Sequence, residues 1–167
     1  MKGDAQNEGQ QIHGEVDAFF ATGNARQSVN LNIPNFNITE TLMKMIPDIG
    51  EKAWNDYHPE GNIDLTIKYE SNEDKSVIDY SAKALCKGIK VRHPYIPYDI
   101  SNVIGLLEMD SNNLYLKNMS GYLLNGPNIN LTMLDGVVGR KSKEKRFAIS
   151  IPNLNLGEEI VKSIPKN

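Results

Sequence analysis

Histidine, cysteine and acidic residues carry most catalytic and metal-binding chemistry, and in this sequence they do not group into a known motif. His13, His58 and His93 lie in unlike, turn-rich contexts without HxxxH or HExxH spacing, so they do not indicate a metal site. Cys86 is the only cysteine, which excludes an internal disulfide and a thiolate zinc site. The sequence contains no GxSxG motif and no glycine-rich phosphate loop. It therefore predicts no catalytic residues, no cofactor and no enzyme activity.

Composition limits the partners in a similar way. The 167 residues suffice for one domain, and 40% hydrophobic with 23% charged residues is typical of a soluble globular protein. The formal net charge of -3 and the pI near 5.6 show no basic excess, so we expect no nucleic-acid partner. No run approaches the roughly 18–20 apolar residues that a spanning helix needs, so we also expect no transmembrane segment.

Alternation of apolar and polar residues with a period of two predicts strands along most of the chain. The clearest stretch is 101–139, where alternation is interrupted by turn residues at 110–113 and 125–128. Further predicted strands cover 16–20, 29–33, 63–69, 78–84 and 89–91. The second of these is predicted to end at Pro34, which cannot donate to a ladder, and the fourth to end near Gly88.

Between residues 39 and 57 the apolar spacing becomes helical. Thr39 is suited to an N-cap, and Pro47 to the first turn of a second helix that contains Trp54. From residue 61 to 151 every connection is short, so we expect one sequentially connected sheet without a helix. The predicted fold class is mainly β: a mostly antiparallel, meandering sheet with a short helical segment near one end.

An internal repeat sets the predicted domain organisation. Residues 28–47 align with 146–165 at an offset of 152 - 34 = 118, with eight identities. The identical pairs are Ile33/Ile151, Pro34/Pro152, Asn35/Asn153, Asn37/Asn155, Glu40/Glu158, Lys44/Lys162, Ile46/Ile164 and Pro47/Pro165. We therefore expect a polar lead-in at 1–11 and one module at 12–167, holding one period and the start of the next. Such a chain would be a fragment of a longer protein.

The same segments resemble the AsmA-like proteins of bacterial envelopes, relatives of the TamB and chorein-type bridge lipid transporters. The matching features are the Trp54 helix leading to a strand start at 59–64, the approach at 97–98 to 103–105, and the hairpin from 116–121 to Gly136. The resemblance covers nearly all of the chain after Gly14. It implies a repeating β-groove, strongly curved, apolar inside and polar outside.

What the resemblance implies about function is equally specific. Such a groove carries acyl chains between membranes, here in the periplasm, as part of an inner-membrane-anchored protein involved in phospholipid transport and outer-membrane homeostasis. The expected partners are phospholipid or fatty acyl chains and neighbouring repeats of the full-length protein.

Six apolar residues at alternating strand positions are candidates for the groove lining: Leu65, Ile67, Leu107, Leu116, Ile129 and Leu131. An apolar sheet face must be covered by helices, by a second sheet or by lipid, so the same six residues also fit an ordinary core. Trp54 similarly fits a helix-to-sheet packing anchor or a ligand contact. Three functions therefore remain: a lipid-binding and lipid-conducting groove module, a structural or protein-interaction repeat with no ligand, and, ranked last because the sequence offers no catalytic site, an enzyme.

Overall fold

The structure is a computed structural model that describes the chain except residues 1, 8–9, 21–26, 45–49, 72–77, 93, 95–97, 125–129, 140–141, 143 and 151–167. The described residues form nine strands and two short helices: β1 Lys2–Asn7, β2 Gln10–Phe20, β3 Gln27–Asn37, α1 Glu40–Lys44, α2 Gly50–Tyr57, β4 Asn62–Ser71, β5 Ile78–Arg92, β6 Asp99–Met109, β7 Asn113–Leu124, β8 Asn130–Gly139 and β9 Lys145–Ser150. The residues expected to be a polar lead-in contribute β1 and the start of β2.

Each strand pairs antiparallel with the next strand in the chain, so the spatial order is β1 through β9 in one sheet. The sheet is open and curled, with β1 and β9 at its two ends. None of the described residues between β4 and β9 is helical. The predicted mainly β, sequentially connected antiparallel sheet is confirmed.

Two predicted strand ends are wrong, because β-bulges let the chain continue. β3 passes through Pro34, since the register shifts between Ile33 and Phe36 and the extra residue lies in a bulge where the missing N–H is not needed. β5 likewise runs unbroken through Gly88, whose φ of 85° fits a bulge between Lys87 and Ile89.

The bulge in β3 and a further bulge in β7, between Leu116 and Met119, use the same asparagine–aspartate contact. Asn35 in β3 and Asn118 in β7 both have positive φ, at 53° and 52°, which asparagine tolerates better than most residues. The Asn35 N–H donates to Asp64 Oδ1 at 2.8 Å, and the Asn118 N–H donates to Asp135 Oδ1 at 2.7 Å. A carboxylate on the neighbouring strand thus satisfies the backbone donor that the bulge releases. Because bulges bend strands and increase their twist, they account for the curl of the sheet.

α1 begins and α2 ends where the sequence predicts, while the predicted start of the second helix at Pro47 lies outside the described residues. Thr39 is the N-cap of α1, because its Oγ1 accepts a hydrogen bond from the Leu42 N–H at 3.3 Å. At the end of α2 the His58 N–H donates to the Trp54 carbonyl at 2.9 Å. The Ile38 N–H donates to the Gly61 carbonyl at 2.9 Å, which ties the chain entering α1 to the chain leaving α2.

The buried core lies at the helical end of one sheet face. Its described members are Phe36, Ile63, Leu65, Cys86, Ile89, Val103 and Met119, and Leu42 of α1 packs against them. Burial raises the pKa of the Cys86 thiol to about 11, so Cys86 is neutral near pH 7 and behaves as a small apolar residue.

The sequence repeat can be compared only in part. Residues 28–33 and 146–150 both lie in strands, as the repeat predicts. The helical half of the second copy, after Ser150, lies outside the described residues.

Gly105→Ala should destabilise the fold strongly. Gly105 has a φ of 140°, and a Cβ built there would lie 2.5 Å from Met119 Sδ and 2.9 Å from Met119 Cα. Backbone strain and overpacking together should lower the free energy of unfolding by roughly 2–4 kcal/mol. Urea unfolding followed by circular dichroism measures this loss. Lys68→Ala, on an exposed strand position, is the control and should change the free energy by less than about 0.5 kcal/mol. Equal stability of the two variants would contradict the close packing of β6 on Met119.

Candidate functional site

The candidate site is the apolar face of the sheet, where two rows of directly opposed residues cross consecutive strands. The helix-side row comprises Ile33, Leu65, Ala84, Leu107, Leu116, Gly136 and Phe147, one from each strand from β3 to β9. The far row comprises Val16, Leu31, Ile67, Ala82, Met109, Leu114 and Val138, one from each strand from β2 to β8. Opposed residues share a face, so over these strands each row forms an apolar band without a charged side chain. On β9 the residue opposed to Val138 is Lys145, which ends the far row.

Burial decreases along the strands from the core beside the helices to the two rows. Leu65 is 8% exposed and belongs to the core beneath the helices. Every member of the far row is only half-buried, although all seven carry apolar side chains. The two rows lie roughly 7 Å apart, because their members are two positions apart along each strand. The apolar face is therefore closed by packing beside the helices, and both rows are partly accessible: in the helix-side row only Leu65 is buried, and Phe147 is exposed.

The length of the rows follows from the spacing of strands. Seven strands have six intervals of about 4.8 Å, so each row extends roughly 29 Å across the sheet. At the β9 end the last residue of the helix-side row is Phe147, whose ring lies over Gly136. A Cβ on Gly136 would lie 2.6 Å from Phe147 Cδ1, so the ring occupies the space that a side chain would fill. Phe147 is 52% exposed and forms the rim of the face.

The opposite face of the sheet carries ion pairs together with exposed apolar side chains such as Leu85 and Ile104. Glu108 accepts from Lys83 Nζ at 2.7 Å and also pairs with Lys117. These two cations, Lys117 first and then Lys83, lower the pKa of Glu108. Lys87 pairs with Asp64 at 2.7 Å, so the aspartate that supports the β3 bulge is itself fixed on this face. The charge distribution defines this surface as the solvated side of the curled sheet.

The structure brings four of the six predicted groove residues together. Leu65, Leu107 and Leu116 lie in the helix-side row, and Ile67 lies in the far row. Leu131, in β8, pairs with Gly121 of β7, but the side chain of Leu131 lies outside the described part of the structure. The whole of Ile129 also lies outside it.

Most members of the rows could not be selected from the sequence. Alternation predicts which residues of one strand share a face, but the opposed positions on neighbouring strands depend on the register. Ala82 and Met109 alternate with their neighbours in the predicted strands, and only the pairing across β4, β5 and β6 aligns them with Ile67.

A second, charged cleft lies where α2 ends and β5 meets β6. It has a volume of about 220 Å³ and is lined by His58, Glu60, Lys90, Arg92 and Asp99. Lys90 and Arg92 contact Asp99 at 2.9 and 3.0 Å, and in that order they lower the pKa of the carboxyl. The charges of the cleft thus neutralise each other.

The described residues offer no metal site, since no three His, Cys, Asp or Glu side chains among them are grouped to hold an ion. Trp54 is half-buried in α2, belongs to neither row, and meets the His58 ring edge-on with 6.2 Å between centroids. In the described part of the chain, no helix combines the length and apolar character needed to cross a membrane.

Comparison of the chain with protein-family models, curated proteins and solved structures finds no match.

The ion pairs of the polar face should make stability depend on pH. Because Lys117 and Lys83 lower the pKa of Glu108 below its ordinary value of 4.5, their stabilising effect is complete above that value and is lost as pH falls through the lower folded pKa. Lys117→Met should therefore lower the melting temperature at pH 7, and the difference from the wild-type protein should shrink as pH falls from about 5 toward 3.

Lys68→Met is the matched control, because it removes the same charge from an exposed position of β4 whose register partner is Ser81. Its melting-temperature difference from wild type should vary less with pH than that of Lys117→Met. Thermal melts at several pH values test this, and a Lys117→Met difference that is constant with pH would contradict the role of the Glu108 pair.

Proposed function

We propose that this chain is a lipid-binding module whose apolar face holds the hydrocarbon chains of phospholipids or fatty acids. The observation that carries the proposal is the pair of apolar rows, each seven residues long and uninterrupted by charge, of which the far row is only half-buried. Monomeric soluble proteins seldom expose a contiguous apolar surface of this extent without a binding partner.

The rows favour hydrocarbon because their side chains offer no hydrogen-bonding groups. An occupant with polar groups facing the rows would lose its water without gaining a partner, whereas a hydrocarbon chain loses nothing. Covering a leucine or isoleucine side chain fully contributes about 1.5–3 kcal/mol, so partial cover of several such residues supports useful affinity.

The dimensions agree with this ligand class. The hydrocarbon core of a bilayer is about 30 Å thick, so an acyl chain in one leaflet spans roughly 15 Å. A row of roughly 29 Å can accommodate one or two such chains lying across the strands. The acyl chains would lie along the far row, with the helix-side row and the core on one side of them.

The wider role rests on the resemblance to AsmA-like envelope proteins. By that resemblance the module belongs to a larger periplasmic protein in which neighbouring repeats continue the groove and phospholipid passes along it. The resemblance supports lipid transport and membrane biogenesis in the cell envelope, while the binding of acyl chains is supported by the geometry of the apolar face.

Three leucine-to-aspartate variants test the proposal with one substitution in three environments. Leu114 is half-buried in the far row, Leu65 belongs to the core, and Leu85 is 45% exposed on the opposite face. Leu114→Asp should fold, because its carboxylate stays hydrated, and should weaken binding of a fluorescent fatty acid at least about tenfold. Leu65→Asp should unfold the protein, because a buried unpaired charge costs several kcal/mol.

Leu85→Asp is the matched control on the opposite face. Because Leu85 is opposed to Asp64, this variant should lose a little stability, but it should stay folded and its binding should be unchanged. Thermal melting and fluorescence titration with a fatty acid and a labelled phospholipid give both readouts for each variant. Unfolding of Leu114→Asp together with Leu65→Asp would indicate a closed core and favour a structural or protein-interaction repeat. Absence of fatty-acid and phospholipid binding by the wild-type chain would also overturn the proposal.

A further inference from the structure

The hairpins β2–β3 and β8–β9 are the same structural unit, displaced by one sequence repeat. Val16 pairs with Leu31, and Leu134 pairs with Ile149; the offsets are 134 - 16 = 118 and 149 - 31 = 118. The first residues of β3 and β9 are also 118 positions apart, since 145 - 27 = 118. A slip of one residue would exchange the two faces of a strand, so equal registers make β9 the structural equivalent of β3.

This equivalence assigns a partner to the outer edge of β9. In the same chain β3 pairs on its other side with β4, whereas β9 is the last strand in the order of the described sheet. We propose that the outer edge of β9 is a binding site for a strand with the sequence pattern of β4, supplied by a neighbouring repeat. Main-chain hydrogen bonds would provide the affinity of this strand addition, and side-chain pairs its register.

The register predicts complementary side chains at the new junction. β3 places Ser28 opposite Glu70 and Val29 opposite Tyr69. Shifted by 118 residues, the same register places Arg146 opposite the glutamate and Phe147 opposite the tyrosine. At the junction between β3 and β4 the corresponding pairs are Ser28 with Glu70 and Val29 with Tyr69. The new junction would have a stronger opposite-charge pair and an aromatic pair in their place. Arg146 pairs with Glu144 at 2.8 Å, and its side chain is 75% exposed. Phe147 is 52% exposed, so both side chains are accessible to an added strand.

The faces also match. Phe147 opposes Gly136 in the helix-side row, and Tyr69 lies two positions from Ile67, so both belong to the apolar face. Arg146 and Glu70 occupy alternate positions and belong to the polar face. The added strand would therefore extend both faces of the sheet without interrupting either.

A labelled peptide with the sequence of Asn62–Ser71 tests the site on the full chain. Fluorescence anisotropy should show saturable binding, and a scrambled peptide should not bind. Hydrogen exchange should show new protection of β9 amide groups when the peptide is bound. Arg146→Glu should weaken binding about two- to fivefold, and a peptide carrying Glu70→Arg should restore affinity for that variant.

Three outcomes would overturn the proposal: no saturable binding, binding that leaves β9 exchange unchanged, or binding that the charge exchange does not affect. Displacement of a fluorescent fatty acid by the peptide would also overturn it, because the peptide would then occupy the apolar face instead of the edge. The edge and the face are separate surfaces, so failure of peptide binding leaves the lipid-binding proposal intact.

Discussion

The structure depends on one constraint: consecutive antiparallel strands are held in a register that places apolar residues directly opposite each other. Leu107, for example, faces Ala84 on one side and Leu116 on the other, and each pair is one step of the helix-side row. Because successive residues of a strand alternate between faces, a slip of one residue in any hairpin would move its apolar set to the solvated side. The short connections fix the pairing order, and burial of one face fixes the register.

The bulges reconcile this register with a curled sheet. A flat sheet would leave the apolar face uniformly open, whereas extra residues in β3, β5, β6 and β7 bend the strands. Each bulge releases a backbone group from the ladder, and at Asn35 and Asn118 an aspartate on the next strand accepts the free N–H. These aspartates therefore have a structural role, which explains acidic residues within strands that otherwise alternate regularly.

The sequence was sufficient for the fold class and insufficient for the shape of the site. Alternation and short connections predict the antiparallel meander, and the Thr39 cap marks the start of the helices, because these signals are local. The sequence predicts strand ends at Pro34 and Gly88, because a residue that disfavours regular pairing either ends a strand or enters a bulge. Only cross-strand contacts distinguish these two outcomes. The rows depend on seven registers at once, so single-strand alternation could identify some members, such as Ile67, but not which residues oppose them.

The position of the core explains how an open apolar face is compatible with a stable fold. Phe36, Ile63 and Met119 are buried beside the helices, so the packing that stabilises the sheet is concentrated at one end of the strands. The far row contributes less to this packing, and its residues can serve a ligand at little cost in folding free energy. An occupant that covers the row would bind the folded state and not the unfolded chain, and would therefore raise stability by mass action. Ligand binding and folding would then be coupled through the far row, while packing at the helical end stabilises the sheet independently of it.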